Sequence, residues 1–256
     1  MKPRVLVTVL VCLLSVLSAV QAGEGEAASW MARADSAFAA FDARLAANYY
    51  LKAYRLDSTS YTAAWKAARS IIDLGELSTD RDRRAKLFRK ALQLARRAVQ
   101  LNPQGEKGYL YVSIALGRVA LDSGPRERVR LSKEVKEAVD RALALDPNDD
   151  AAWHVLGRWH RKLATLSWVE KKFANLFLGG VPKEASLDSA VACFQKAIAL
   201  NPQSVRHYVQ LGITYQKMGQ RDKALAAFQK ALTLPRTDLD DPELKELARD
   251  RIKKLR

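Results

Sequence analysis

The chain is poor in the residues that metal, redox and nucleophilic chemistry draw on. Of 256 residues, 2 are cysteine and 3 are histidine. There is no CxxC pair, so no disulfide framework or zinc ribbon is expected. His154 and His160 stand six apart, which suits neither metal pairing on one helix face nor a triad. Cys193 has no helper near it in sequence and neighbours the packing residue Phe194, so it reads as a small hydrophobe. Gly179-Gly180 lacks the preceding strand that a phosphate-binding loop needs. Carboxylates are scattered over polar faces. No catalytic residue, metal ligand or cofactor is therefore expected, and the chain reads as a non-enzyme.

Acidic residues are also scarce. There are 28 Asp and Glu against 43 Lys and Arg, a formal charge of +15. The basic runs at Arg81–Arg97 and Arg126–Lys136 read as charged helix faces. Nucleic acid is not the expected partner; an acidic protein or peptide, or an anionic membrane surface, fits the charge better. Long apolar runs are absent after the first twenty residues. At the start, Lys2 and Arg4 precede the apolar stretch Val5–Val20 and the small-residue site Val20-Gln21-Ala22. That is the pattern of a signal peptide over residues 1–22, with export to the periplasm as the expectation. The alternative is an uncleaved N-terminal membrane anchor. Residues 23–28 read as a short linker.

What the chain does have is a repeat. In Val205–Leu234, Tyr208, Leu211, Gly212 and Tyr215 share one helix face, and Ala224, Leu225, Phe228, Ala231 and Leu232 share a second. Gly219-Gln220-Arg221 is the turn between them, and Pro235 follows. Small residues let the two helices approach, and the aromatics fill the space beside them. The spacing resembles the tetratricopeptide repeat, with a period of about 34 residues. The resemblance implies an all-α solenoid of helical hairpins. Five hairpins are expected, at 29–58, 62–103, 106–147, 150–202 and 205–235. Pro103, Pro147, Pro202 and Pro235 close four of them. Leu56-Asp57-Ser58 closes the degenerate first. The second and third carry ten extra residues each, and the fourth carries 21 within Arg161–Ser189. Residues 238–256 read as an amphipathic capping helix.

The fourth insert crowds Leu166, Trp168, Val169, Phe173 and Phe177 around Lys171-Lys172. It is either an extension packed on its own repeat or an apolar lip that binds a partner, an apolar ligand or a membrane surface. Leu156-Gly157-x-Trp159, Leu166-x-Trp168-x-x-Lys171-Lys172-x-Ala174, Phe177, Pro182 and Ala190-x-x-x-Phe194-x-x-Ala197 resemble the regulator of microtubule dynamics proteins. Trp65, Ala68 and Arg69 before a long second hairpin, and Leu211-Gly212-x-Thr214-Tyr215, extend the likeness over Tyr61–Arg256. That family's fold is a helical tetratricopeptide array, and its eukaryotic members are associated with microtubules and organelle membranes. A cleaved export signal would part this chain from tubulin, so the fold and the scaffold character are what the resemblance is expected to transfer. In such an array the first helix of each hairpin lines the concave groove. Lys66, His154, Arg158, Arg161, Arg206 and Gln216 are the expected groove residues, a basic set suited to an acidic peptide or a C-terminal carboxylate. A carrier of an apolar or lipid-like ligand, gated by the lip, is the competing reading.

Overall fold

The computed structural model describes residues 25–177 and 180–256. Every regular element among them is a helix. In chain order these are α1 (25–39), α2 (Ala43–Leu56), α3 (Tyr61–Glu76), α4 (Arg81–Leu101), α5 (Glu106–Leu121), α6 (Pro125–Leu145), α7 (Asp150–Ala164), α8 (Trp168–Phe177), α9 (Leu187–Leu200), α10 (Val205–Lys217), α11 (Arg221–Thr233) and α12 (Asp241–Leu255). The expected signal peptide at residues 1–22 lies outside the described residues. Residues 25–28, expected as linker, instead form the first turn of α1. Ala27 continues the buried face of Ala34, and Glu26 accepts a hydrogen bond from Trp30 Nε1 at 3.2 Å.

The helices start and stop where local chemistry dictates. Asp42, Ser60, Asp80, Asp149 and Ser186 each precede a helix and accept a backbone N–H from its first turn. The stops of the first four hairpins share one device. Asp57, Asn102, Asp146 and Asn201 each accept the N–H two residues on through a side-chain oxygen. In three of them proline follows at once. The first lacks proline but keeps the Asx turn, so the degenerate closer works by half of the same mechanism.

Pairs α3–α4, α5–α6, α7–α9 and α10–α11 are antiparallel hairpins, α1 packs on α2 through Ala34, Ala37, Ala46 and Tyr50, and consecutive hairpins stack. The extra residues of the second and third hairpins lengthen the helices themselves. α4 and α6 have 21 residues each, against 13 in α11. Within a hairpin, a phenylalanine of the second helix lies on a glycine of the first. Phe194 meets Gly157, Phe228 meets Gly212 and Phe88 meets Gly75. Burying each ring contributes about 2–3 kcal/mol. Arg69 replaces glycine in the second repeat's pattern, and its guanidinium reaches back to the first hairpin, 3.5 Å from the Phe38 ring and 3.2 Å from Tyr50 Oη. α12 lays Leu244, Leu247, Ile252 and Leu255 against the last hairpin and closes the apolar end of the stack.

The array also curls. α3, α5, α7 and α10, each the first helix of its hairpin, lie side by side on the inner surface. The Trp65 and Tyr111 rings stack across α3 and α5 at 5.6 Å. The loop after α11 returns to the N-terminal hairpins, where Arg236 lies 4.1 Å from the Phe41 ring. A concave chamber results, walled by α5, α7 and α10.

Candidate functional site

The chamber holds a cavity of about 620 Å³. Ile114, Val155, Leu163 and Leu166 provide apolar wall, while Arg118, Arg128, Arg158, Arg161, Lys162 and Arg206 provide cationic groups. Asp150 and Asp238 are its carboxylates. The volume and mixed lining match the size class of ligand pockets.

The cations differ in how they are satisfied. Arg118 pairs with Glu76. Arg128 pairs with Glu170 at 2.9 Å, and Lys162 meets the same carboxylate at 3.3 Å. Arg206 bridges Asp240 at 2.8 Å and Asp238 at 3.0 Å. Among the described residues Arg161 has only neutral acceptors: the Gln210 carbonyl at 2.8 Å, the Gln210 side chain and Thr214 Oγ1 at 3.2 Å. Arg158 has no hydrogen-bond or ion-pair partner among the described residues. Burial, then repulsion from Arg118 and Arg161, pushes its guanidinium down to about 9. Burial, with Arg251, takes Arg161 to about 10. Arg206 goes the other way: burial opposes its charge, but Asp240 and Asp238 hold it above the ordinary value. An uncompensated guanidinium in a concave, half-dry site favours an anion strongly.

One wall carries a buried imidazole pair. The Nδ1 atoms of His154 and His207 stand 3.0 Å apart, and His207 Nε2–H donates to Asp150 Oδ2 at 2.8 Å. Asn201 Nδ2 donates to the same oxygen at 3.2 Å. With His207 neutral, its Nδ1 accepts from His154 Nδ1–H, and His154 Nε2 is left buried without a partner. Burial, then the neighbouring His207 and Arg158, holds His154 well below its ordinary value. Burial works to raise Asp150, but the His207 bond overcomes it and the carboxyl stays lowered.

Of the six expected groove residues, the structure brings together His154, Arg158, Arg161 and Arg206 in this cavity. Two fall elsewhere. Lys66 pairs with Asp35 at 2.6 Å on the first hairpin, and Gln216 accepts from Arg251 of α12 at 3.2 Å. The lip divides as well. Leu166 and Phe173 pack into the core, so that part is extension, while Trp168 and Val169 face solvent. Phe177 ends α8, and its side chain lies outside the described residues. The Asp150–His207–His154 chain and the contribution of Arg118 have no signal in sequence, because their partners come from different hairpins. Cys193 is buried, and its thiol is pushed up to about 11 by that burial. Among the described residues no cluster of three or more His, Cys, Asp or Glu could hold a metal ion, and no helix is long and apolar enough to cross a membrane.

The sequence is 28% identical over 178 residues to regulator of microtubule dynamics protein 3 of Rattus norvegicus, covering 69% of this chain and 38% of the rat protein. It is 27% identical over 184 residues to protein 1 of that name in Homo sapiens, covering 70% of this chain and 58% of the human protein. The chain thus spans roughly two fifths to three fifths of these relatives' length. In fold it is similar to a thermophilic TPR protein of Thermus thermophilus, with a TM-score of 0.64, 21% identity and coverage of 87% of this chain and 98% of that one. The sequence profile described as Regulator of microtubule dynamics protein 1-3 matches residues 30–256, reaching into the first hairpin, and the chain belongs to that family.

Proposed function

We propose that the chain is a non-enzymatic scaffold that holds an acidic segment of a protein partner in its concave cavity, with a carboxylate seated between Arg158 and Arg161. The carrying observation is Arg158, a guanidinium on the cavity wall without a hydrogen-bond or ion-pair partner among the described residues. A carboxylate there would relieve the repulsion among Arg158, Arg118 and Arg161 and form charge-assisted bonds. The apolar patches beside it would take the flanking side chains. Titration of a panel of acidic peptides with free C-termini, alongside their amidated forms, tests the reading. Binding should weaken at least tenfold for Arg158→Met, an effect of about 1.4 kcal/mol or more. Equal binding by wild type and variant across the panel overturns it. Arg206 is unsuited to the test, because reversing its charge would break the Asp238 and Asp240 contacts that hold the last loop.

The apolar part of the lining supports a second reading, carriage of an apolar or lipid-like ligand. Extraction of the purified protein for bound lipid, with Leu166→Glu as the blocking variant, discriminates the two. Export by the N-terminal segment belongs to the proposal, as does the alternative of a membrane-anchored tether; intact mass of the native chain distinguishes cleavage after Ala22 from retention.

A further inference from the structure

Of the seven large apolar residues left in solvent among the described residues, five gather on one edge of the solenoid, while Leu45 and Leu56 lie apart on α2. Leu77 (51% exposed) follows α3, and Leu121 (55%) ends α5. Trp168 (69%), Val169 (42%) and Leu176 (73%) lie on α8. Ion pairs string these segments side by side. Arg84 at the start of α4 joins Asp122 after α5 at 2.8 Å, and Arg128 at the start of α6 joins Glu170 of α8 at 2.9 Å. The edge is that of the turns between the paired helices, and α8 is its most prominent feature.

α8 is amphipathic in an unusual sense. Its inner side is satisfied: Ala174 and Phe173 pack on the core, and Glu170 is held by Arg128, Lys162 and Ser167. Its outer side places Trp168, Lys172 and Leu176 in line at steps of four, with Lys171 and Val169 flanking them. Lys172 Nζ sits 4.1 Å from the Trp168 ring. Lys171 has no ion-pair partner among the described residues. The nearby carboxylates Asp122, Glu127 and Glu170 are each neutralised by an arginine, whereas exposed Arg81 and Arg83 on the same edge are not paired. Asp80 and Asp82, exposed and in no ion pair among the described residues, are the acidic exceptions and offset Arg81 and Arg83. The result is a row of tryptophan and leucine flanked by two lysines, Lys171 and Lys172, that no carboxylate among the described residues neutralises.

We infer that this edge, led by Trp168, Leu176, Lys171 and Lys172, docks on an anionic lipid bilayer. A protein partner's apolar groove would accept Trp168 and Leu176, but it would not call for the unpaired lysines around them; phosphate headgroups do. Tryptophan rests at the headgroup level, leucine reaches the acyl boundary, and lysine stems extend to the anionic surface. The inference is independent of the cavity and of what the cavity binds.

The test uses the full chain with vesicles of phosphatidylcholine and phosphatidylserine in which one lipid carries bromine on its acyl chain. The N-terminal apolar segment can attach the chain to vesicles without this edge, so the readout is contact quenching of Trp168, isolated as the difference between wild type and Trp168→Phe. Quenching of wild type, absent from Trp168→Phe, is expected with anionic vesicles and should fade as salt rises. Lys171→Glu with Lys172→Glu removes surface charges at exposed positions and should weaken the Trp168 contact about tenfold or more. Absence of Trp168 quenching with anionic vesicles, whether or not the chain sediments with them, overturns the inference. So does equal quenching by phosphatidylcholine alone, and so does shielding of Trp168 that grows with protein concentration without vesicles, which would put a second copy on this face.

Discussion

Arg158 and Arg161 differ from Arg206 by a single circumstance, the presence of a carboxylate within reach. Arg206 sits between Asp238 and Asp240 and holds a loop; Arg158 holds nothing. A buried charge without a counterpart opposes folding. Arg158→Met should therefore stabilise the unliganded protein by about 1 kcal/mol while weakening binding of acidic peptides. Urea denaturation checks the first effect, and a loss of stability would show that Arg158 has a structural partner. His154 makes a prediction with a definite sign. Its folded value lies below the ordinary 6.5, so it contributes stability that is present above about pH 6.5 and lost as pH falls. His154→Gln keeps a donor for His207 but takes no proton, and its stability should fall less than wild type between pH 7 and pH 5, by about 1 kcal/mol. Parallel curves for the two proteins would remove His154 from the acid response.

At the scale of the helical pair, what matters is how closely two helices cross. A Cβ on Gly157 would stand 2.9 Å from Phe194, and one on Gly212 would stand 2.7 Å from Phe228. The rings are held on all sides, so Gly157→Ala and Gly212→Ala should each destabilise by about 1–3 kcal/mol. Gly117 is also mid-helix, but a Cβ there meets nothing within 4 Å. Gly117→Ala should instead stabilise by about 0.5–1 kcal/mol through helix propensity alone. Thermal denaturation of the three variants separates close packing from propensity; the same sign in all three would refute the Phe-on-Gly account. These glycines and phenylalanines were legible in the repeat spacing. Gly75 was not, since the lengthened second hairpin moves its crossing away from the register position that Arg69 occupies.

Across the whole molecule, curvature brings the second hairpin against the last loop. There Asp73 faces Glu76 and Asp238, and burial first, then those charges, pushes its carboxyl up to about 7. A carboxyl raised from 3.8 contributes stability that is full below about pH 4 and is lost as pH rises toward 7. Asp73→Asn should gain about 1–2 kcal/mol at neutral pH and lose little at pH 4. A gain of equal size at both pH values would point to a cause other than ionisation. Between about pH 4 and pH 6.5 the slopes of Asp73 and His154 oppose each other, so each is read from its own variant and not from the pH profile of wild type alone.

The helices, their caps, the proline stops and the stacking of five hairpins are written in local spacing, because each depends on residues within a turn or a hairpin of one another. The basic character of the inner surface was legible for the same reason: first helices line the concave side, and their side chains follow a period of 3.6 residues. Which of those cations is free was not legible. Lys66 and Gln216 find partners on α1 and α12, Arg206 finds Asp238 and Asp240, and His154 finds His207, all across 31 to 53 residues of chain. The division of the α8 insert into a buried side and a solvent side was likewise settled by what α6 offered it. Such pairings follow from the curl of the stack, a sum of small rotations between hairpins that no single window of sequence encodes.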